Sequence, residues 1–305
     1  MRIAEVQVPA MRVAGVVLGE MFGMKTLLSF FLLFGLAAPA TAAPSAEPWP
    51  LWERRDSAST ASVDHGFWAG FLRRYLKTGC ADGINRIDYA AVGKQDRDAL
   101  EADLGRQSAV PISRYDRGEQ RAFWTDLYNE LTVLVVLRHY PVGSIRDIDI
   151  SPGIFSLGPW DKKLIEIEGT RLSLNDIEHR ILRPSWHDPR THYSLNCASL
   201  GCPNLQPEAY TAANMDALLD RGAREYVNNP RGFRVVGGRL IVSSLYVWYK
   251  ADFGGTDAGV IAHLQRWATP ERAKELDGSE RIAGSAYDWR LNDAGSGKSG
   301  SCALP

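Results

Sequence analysis

Residues 188–205 read DPRTHYSLNCASLGCPNL and bring His192, Cys197, Cys202, Asn196 and two serines into one short stretch. A thiol attacks a carbonyl as its thiolate, so it needs a base or a positive environment, and the base needs a third group to orient it. The stretch holds the residue types for that chemistry. It also fits blander readings. A Cys197–Cys202 disulfide would close a small loop, silence both thiols and add about 2 kcal/mol by loop entropy. Inert buried thiols are a further reading. An S2N2 metal set from His179, His192, Cys197 and Cys202 is conceivable, but a CxxxxC spacing without a second ligand pair is a weak zinc signal. No metal or cofactor is expected.

Four pieces of the chain, AFWTDLYNELTV, GPWDKKLIEIEGTRLSLNDIEHRIL, DPRTHYSLNCASLGCP and SLYVWYKADFG, follow one another in an order that resembles the domain-of-unknown-function family 547 (DUF547). The resemblance spans residues 121–264 and implies no named activity. It extends distantly to thiol hydrolases of the papain and transglutaminase kind, where a Cys works with a His and an acid or amide. In that frame Cys197 is the nucleophile, His192 the base and Glu178 the orienting acid, with Cys202 and His179 as rivals. Asn196 or neighbouring backbone amides would donate to an oxyanion. Such a protein would be a cysteine-dependent hydrolase or acyltransferase acting on an amide, peptide or thioester. The alternative is a non-catalytic envelope protein whose Cys197–Cys202 bridge stiffens a loop that binds a ligand or partner.

Geometry tests these roles. If residues 191–197 form a strand, as their alternation predicts, His192 and Cys197 lie about 16 Å apart on opposite faces. They meet only if the chain bends at Asn196. Otherwise the base is His179, or the thiol is Cys202, folded back by a turn through Leu200-Gly201 ahead of Pro203. Glu178 and His179 are neighbours on a helix, about 100° apart, so one of them is expected to face solvent. Ile177 and Ile181 define the buried stripe, which favours Glu178 inside.

The elements that must position these residues begin with 119–140, EQRAFWTDLYNELTVLVVLRHY. Its second half is apolar on nearly every face, which predicts a helix buried in the centre of the domain and ended by Pro141. Asn129 within it must either brace backbone or face a site. Helices are predicted at 65–77, 94–104, 212–228, 245–253 and 260–268, and a short strand at 84–89. Residues 164–172 and 233–243 read as hairpins turning at Gly169 and at Gly237-Gly238. Ser173 caps a helix through Leu182, with Asp176 placed for a capping box. A last strand is predicted at 287–291. His65, His139 and His187 read as surface or helix-end histidines. Helices first and hairpins later give an α+β single domain, a central buried helix packed against antiparallel strands and hairpins.

Composition narrows the partners. The chain has 305 residues, 45% hydrophobic and 23% charged, with 35 basic residues against 36 acidic ones. No basic block is present, which speaks against nucleic acid. A small molecule or peptide is the expected substrate. From Met24 the chain reads MKTLLSFFLLFGLAAPATAAPSAEP, with a charged Lys25, an apolar run at 27–36 and a small-residue site at Ala40-Thr41-Ala42. These are the parts of a signal peptide, too short for the roughly 20 residues that cross a bilayer. The expected organisation is an upstream extension and signal peptide over 1–43 with translation starting at Met24, a flexible leader at 44–62 whose Trp49 and Trp52 are candidates to dock on the domain, a globular domain at 63–293 and a disordered tail at 294–305. The processed protein is expected to be periplasmic or secreted, without a transmembrane segment. Its four cysteines, Cys80, Cys197, Cys202 and Cys302, permit disulfides there, and a Cys80–Cys302 bridge would pin the tail.

Overall fold

The computed structural model describes residues 44–153, 157–295 and 302. The expected signal peptide and its cleavage site, with residues 296–301 and 303–305 of the expected tail, lie outside the described residues. The first half of the chain runs α1 (Gly66–Tyr75), β1 (Leu76–Lys77), β2 (Arg86–Ile87), α2 (Lys94–Ser108), α3 (Arg117–His139), β3 (Ile165–Ile167) and β4 (Thr170–Leu172). A π-helical stretch (Asp176–Leu182) then enters α4 (Arg183–Trp186), and a 3-10 turn (Pro189–Tyr193) follows. The second half holds α5 (Met215–Asn228), β5 (Phe233–Val236), β6 (Arg239–Ser243), α6 (Ser244–Trp248), α7 (Asp257–Trp267), α8 (Pro270–Lys274) and β7 (Gly284–Ala286).

Helix α3 organises the α+β fold. Asp116 caps it, accepting from the backbone N–H groups of Gly118 at 2.7 Å and Glu119 at 3.1 Å. From Gln120 to Leu137 every residue is buried. A helix apolar on most faces must be covered on all of them, and α2, α5 and the 176–182 stretch pack around it. The strands form small separate sheets: β1 with β2, β3 with β4, and β5-β6-β7. Gly237 and Gly238, at φ 56° and 72°, supply the left-handed pair that the β5–β6 hairpin needs. Strand β7 joins β6 in parallel.

Two large apolar clusters result, beside a small third one of Ala122, Tyr210, Met215, Leu218 and Leu219. One surrounds α3, and the other is built by α5, the β5–β6 hairpin and α7. Residues 188–205 bridge them: Leu195, Ala198 and Leu205 belong to the first cluster and Tyr193 to the second. Catalytic-type residues are thus held at a seam between two packed bodies of side chains.

Two segments differ from expectation. Residues 191–197 are not a strand. Asp188 accepts from Arg190 N–H at 2.9 Å and Pro189 occupies the first helical position, so local capping starts a 3-10 turn there. Thr191, His192 and Tyr193 are all buried, a set that strand alternation cannot provide. Residues 287–291 are not a regular strand either, because they are tied to the cysteine loop, with Leu200 N–H donating to Arg290 O and Gly201 N–H to Asp288 O. In the 44–62 stretch, Glu47 N–H donates to His179 O at 2.9 Å, and Trp52 packs edge-on to Trp124 at 5.0 Å. Cys302 is bonded to Cys80.

Candidate functional site

Asn129 is where the central helix grips the cysteine loop. Its amide donates to Ser194 O at 2.9 Å and its carbonyl accepts from Asn196 N–H at 2.9 Å. Asn196 carries the brace onward: its amide donates to Pro203 O at 2.7 Å, and its Oδ1 accepts from Ala198 N–H at 2.9 Å and Asn292 at 3.1 Å. The two side-chain amides are therefore engaged in holding backbone. Ala198 sits at φ 58°, a left-handed conformation that costs a non-glycine residue about 1–2 kcal/mol. Gly201 is required by close approach, since a Cβ there would stand 2.8 Å from Asp288 N and 2.9 Å from the Tyr287 ring.

Cys197 and Cys202 are joined by a disulfide across this braced loop, with Cα atoms 6.1 Å apart. No cysteine among the described residues is free. Cys202 is buried and Cys197 half-buried. The Cys202 sulfur accepts from Cys197 N–H at 2.9 Å and from Tyr287 OH at 3.1 Å. The Cys197 sulfur lies 3.2 Å from the same Tyr287 hydroxyl and 3.4 Å from Ser199 Oγ. Both sulfurs are thus partnered by hydroxyls, and neither by an imidazole. Burial pushes the Tyr287 hydroxyl well above its usual pKa, so it stays protonated and donates.

The histidines gather around Tyr249 and Asp252. Ser173 and Asp176 form the reciprocal cap that starts the π-helical stretch: Ser173 N–H donates to Asp176 at 2.8 Å and Asp176 N–H to Ser173 Oγ at 3.2 Å. That stretch presents Glu178 and His179, and both are buried, contrary to the expectation that one faces solvent. The reason is that α3 covers one side while the backbone of residues 47–49 covers the other. His192 Nε2 lies 2.6 Å from Asp252 Oδ2, and its Nδ1 is 3.7 Å from Glu178 Oε1, beyond hydrogen-bonding reach. His179 Nδ1 is 3.9 Å from the same Glu178 oxygen and accepts from Arg183 at 2.9 Å. Arg183 also donates Nε–H to Asp252 at 2.7 Å. Tyr249 stacks on the His192 ring at 4.5 Å. Burial would raise the Asp252 carboxyl, but the hydrogen bonds from His192 and Arg183 hold it far below the usual carboxylate range.

Two groupings result: Glu178, His179 and His192 with Asp252, Arg183 and Tyr249, and the bridged cysteines with Ser199 and Tyr287. Asp252 and Tyr287 were not marked by the sequence. They lie 60 and 90 residues from the groups they touch, and no spacing rule reaches so far. The one sequence signal for Asp252 was its place in SLYVWYKADFG. Among the described residues no group of three or more His, Cys, Asp or Glu could hold a metal ion.

Gly201 and Tyr287 also line a cavity of 680 Å³, together with Asp147, Arg231, Arg234 and Trp289. Trp248, 37% exposed, lies 4.8 Å from Tyr287 and 5.6 Å from Trp289, which extends an aromatic surface beside the cavity.

Residues 112–227 match the family model described as Protein of unknown function, DUF547. The match takes in Asn129, Glu178, His192 and both bridged cysteines, and it ends before Asp252 and Tyr287. No curated protein and no solved structure matches the chain.

Proposed function

The chain carries a DUF547 domain, and from that premise we propose that it is an exported, non-catalytic binding protein whose disulfide-braced loop backs a ligand seat. The observation that carries this reading is the position of Tyr287. Its hydroxyl contacts both bridged sulfurs, while the residue lines the adjoining cavity. The bridge therefore stiffens a cavity wall. Trp289 offers that seat an aromatic face and exposed Arg234 a cationic hydrogen-bond donor, while Arg231 lines the wall with its terminal nitrogens held by Leu200 O and Asn204, the few polar groups that small-ligand sites use. Titration of thiols in the exported protein, denatured without reductant, is expected to find Cys197 and Cys202 unreactive. A full complement of two reactive thiols from this pair would overturn the reading.

A second reading, the cysteine-dependent hydrolase or acyltransferase, draws support from the half-buried position of Cys197 and from the pairing of buried His192 with half-buried Asp252. It requires the bridge to open first. After mild reduction, Cys197 would then alkylate with iodoacetamide at about pH 6, where an unactivated thiol with pKa near 8.5 is almost wholly protonated. His192→Ala would remove that excess reactivity. Cys197 labelling no faster than a free thiol sinks this second reading, and fast labelling of Cys202 instead would transfer the nucleophile's role to it.

A further inference from the structure

His65 was expected at the surface or at a helix end. It does precede α1, but only 8% of it is exposed. Its Nδ1 lies 2.8 Å from Oδ2 of Asp126, a carboxylate 1% exposed in the middle of α3. Asp126 also accepts the backbone N–H of Tyr210, at 3.0 and 3.2 Å, and a hydrogen bond from the Trp68 side chain. A carboxylate so placed fixes the imidazole: Nδ1 carries a proton toward Asp126, and Nε2 is left for another partner. Nε2 is buried, and it has no hydrogen-bond partner among the described residues.

His65 lines a cavity of 740 Å³ with Ser62, Asp64, Arg73, Glu208 and Thr211. This cavity shares no lining residue with the one beside Tyr287. Its acidic residues are already engaged: Glu208 pairs with Arg221, and Asp64 accepts Gly66 N–H at 2.8 Å. Arg73 is exposed and has no ion-pair partner among the described residues.

We infer that this cavity is a second binding site, for a small ligand bearing a carboxylate or phosphate whose oxygen accepts from His65 Nε2–H and pairs with Arg73. The donor is present when His65 is protonated. The groups that face His65 are Asp126 and Glu119 from α3, Asp64 just before α1, Arg73 within α1, and Glu208 from the segment after Pro207. Burial alone would lower the His65 pKa, but Asp126, Glu119 and Asp64 raise it above the ordinary value. Anion binding should therefore strengthen as pH falls.

The test is an NMR titration of the chain labelled with 15N-histidine, with acetate in one arm and inorganic phosphate in the other. The His65 ring signal is expected to shift saturably, and in the acetate arm, whose anion carries constant charge near neutrality, affinity should fall about tenfold per pH unit above the His65 pKa. The tighter arm identifies the ligand's acidic group. His65→Gln should abolish binding. Because that variant leaves Asp126 buried and could misfold, Arg73→Gln, at an exposed position, is the deciding variant and should weaken binding several-fold. No saturable shift with either anion, or unchanged affinity in Arg73→Gln, would overturn the site.

Discussion

At the scale of single residues, the site is held by amides. Asn129 satisfies two buried backbone groups, Ser194 O and Asn196 N–H, and orphaning a buried partner costs roughly 1–3 kcal/mol. Asn129→Leu is therefore expected to destabilise the fold by about 2–5 kcal/mol in chemical denaturation. A change within error would show that the loop holds itself without the helix. Ala198 sets two effects against each other. Its left-handed conformation is strained for alanine and natural for glycine, but its methyl is fully buried in the first apolar cluster. The conformational gain, reduced by glycine's extra chain entropy in the unfolded state, is offset by losing a buried methyl worth about 0.8 kcal/mol, so Ala198→Gly should change stability by less than about 1 kcal/mol in the same denaturation assay. Only the first of these was legible in the sequence. A polar residue in an apolar helix announced Asn129, but nothing in the order of residues marked Ala198 as left-handed.

At the scale of elements, burial decides which histidines can charge. His179 on the π-helical stretch and His263 on α7 are both lowered to about 4 by burial. A histidine depressed in the folded state contributes stability that is complete above its unfolded pKa and is lost as pH falls toward the folded value. For His263 that window runs from 6.5 down to about 4. Its Nε2 lies 2.7 Å from Tyr193 OH, so glutamine is a substitute that keeps hydrogen-bonding capacity without the titration. Urea denaturation at several pH values should show the parent losing about 2–3 kcal/mol relative to His263→Gln across that window. Parallel pH profiles would show His263 to be accessible to solvent in the folded state. His65, with its raised pKa, has the opposite sign: its contribution is full below 6.5 and is lost as pH rises through the folded value.

At the scale of the whole molecule, the Cys80–Cys302 bridge joins residues 222 apart in sequence and so closes a loop around nearly the entire domain. Replacing both with serine is expected to cost about 2–5 kcal/mol, read as a lower denaturation midpoint under oxidising conditions. An unchanged midpoint would show that the bridge does not form in solution. Export is the premise that allows both bridges to persist. N-terminal sequencing of the protein recovered from the cell envelope or medium should begin at Ala43 or Pro44, after the Ala40-Thr41-Ala42 site. A protein that retains Met1 would remove the compartment on which the bridge argument rests.

The α+β class, the central helix, the two glycine-turned hairpins and the Ser173–Asp176 cap could be read from residue order, because each depends on contacts between positions a few residues apart. The same holds for the concentration of cysteine and histidine in 188–205. What residue order could not supply was partnership. Asp252 reaches His192 across 60 residues, and Tyr287 reaches the bridged cysteines across 85 and 90. The strand expected at 191–197 failed for a related reason. The residues alternate there, but the Asp188-Pro189 cap and burial against the two large apolar clusters set the backbone. Which thiol, imidazole and carboxylate meet is decided by packing between distant segments, and only the tertiary structure carries that information.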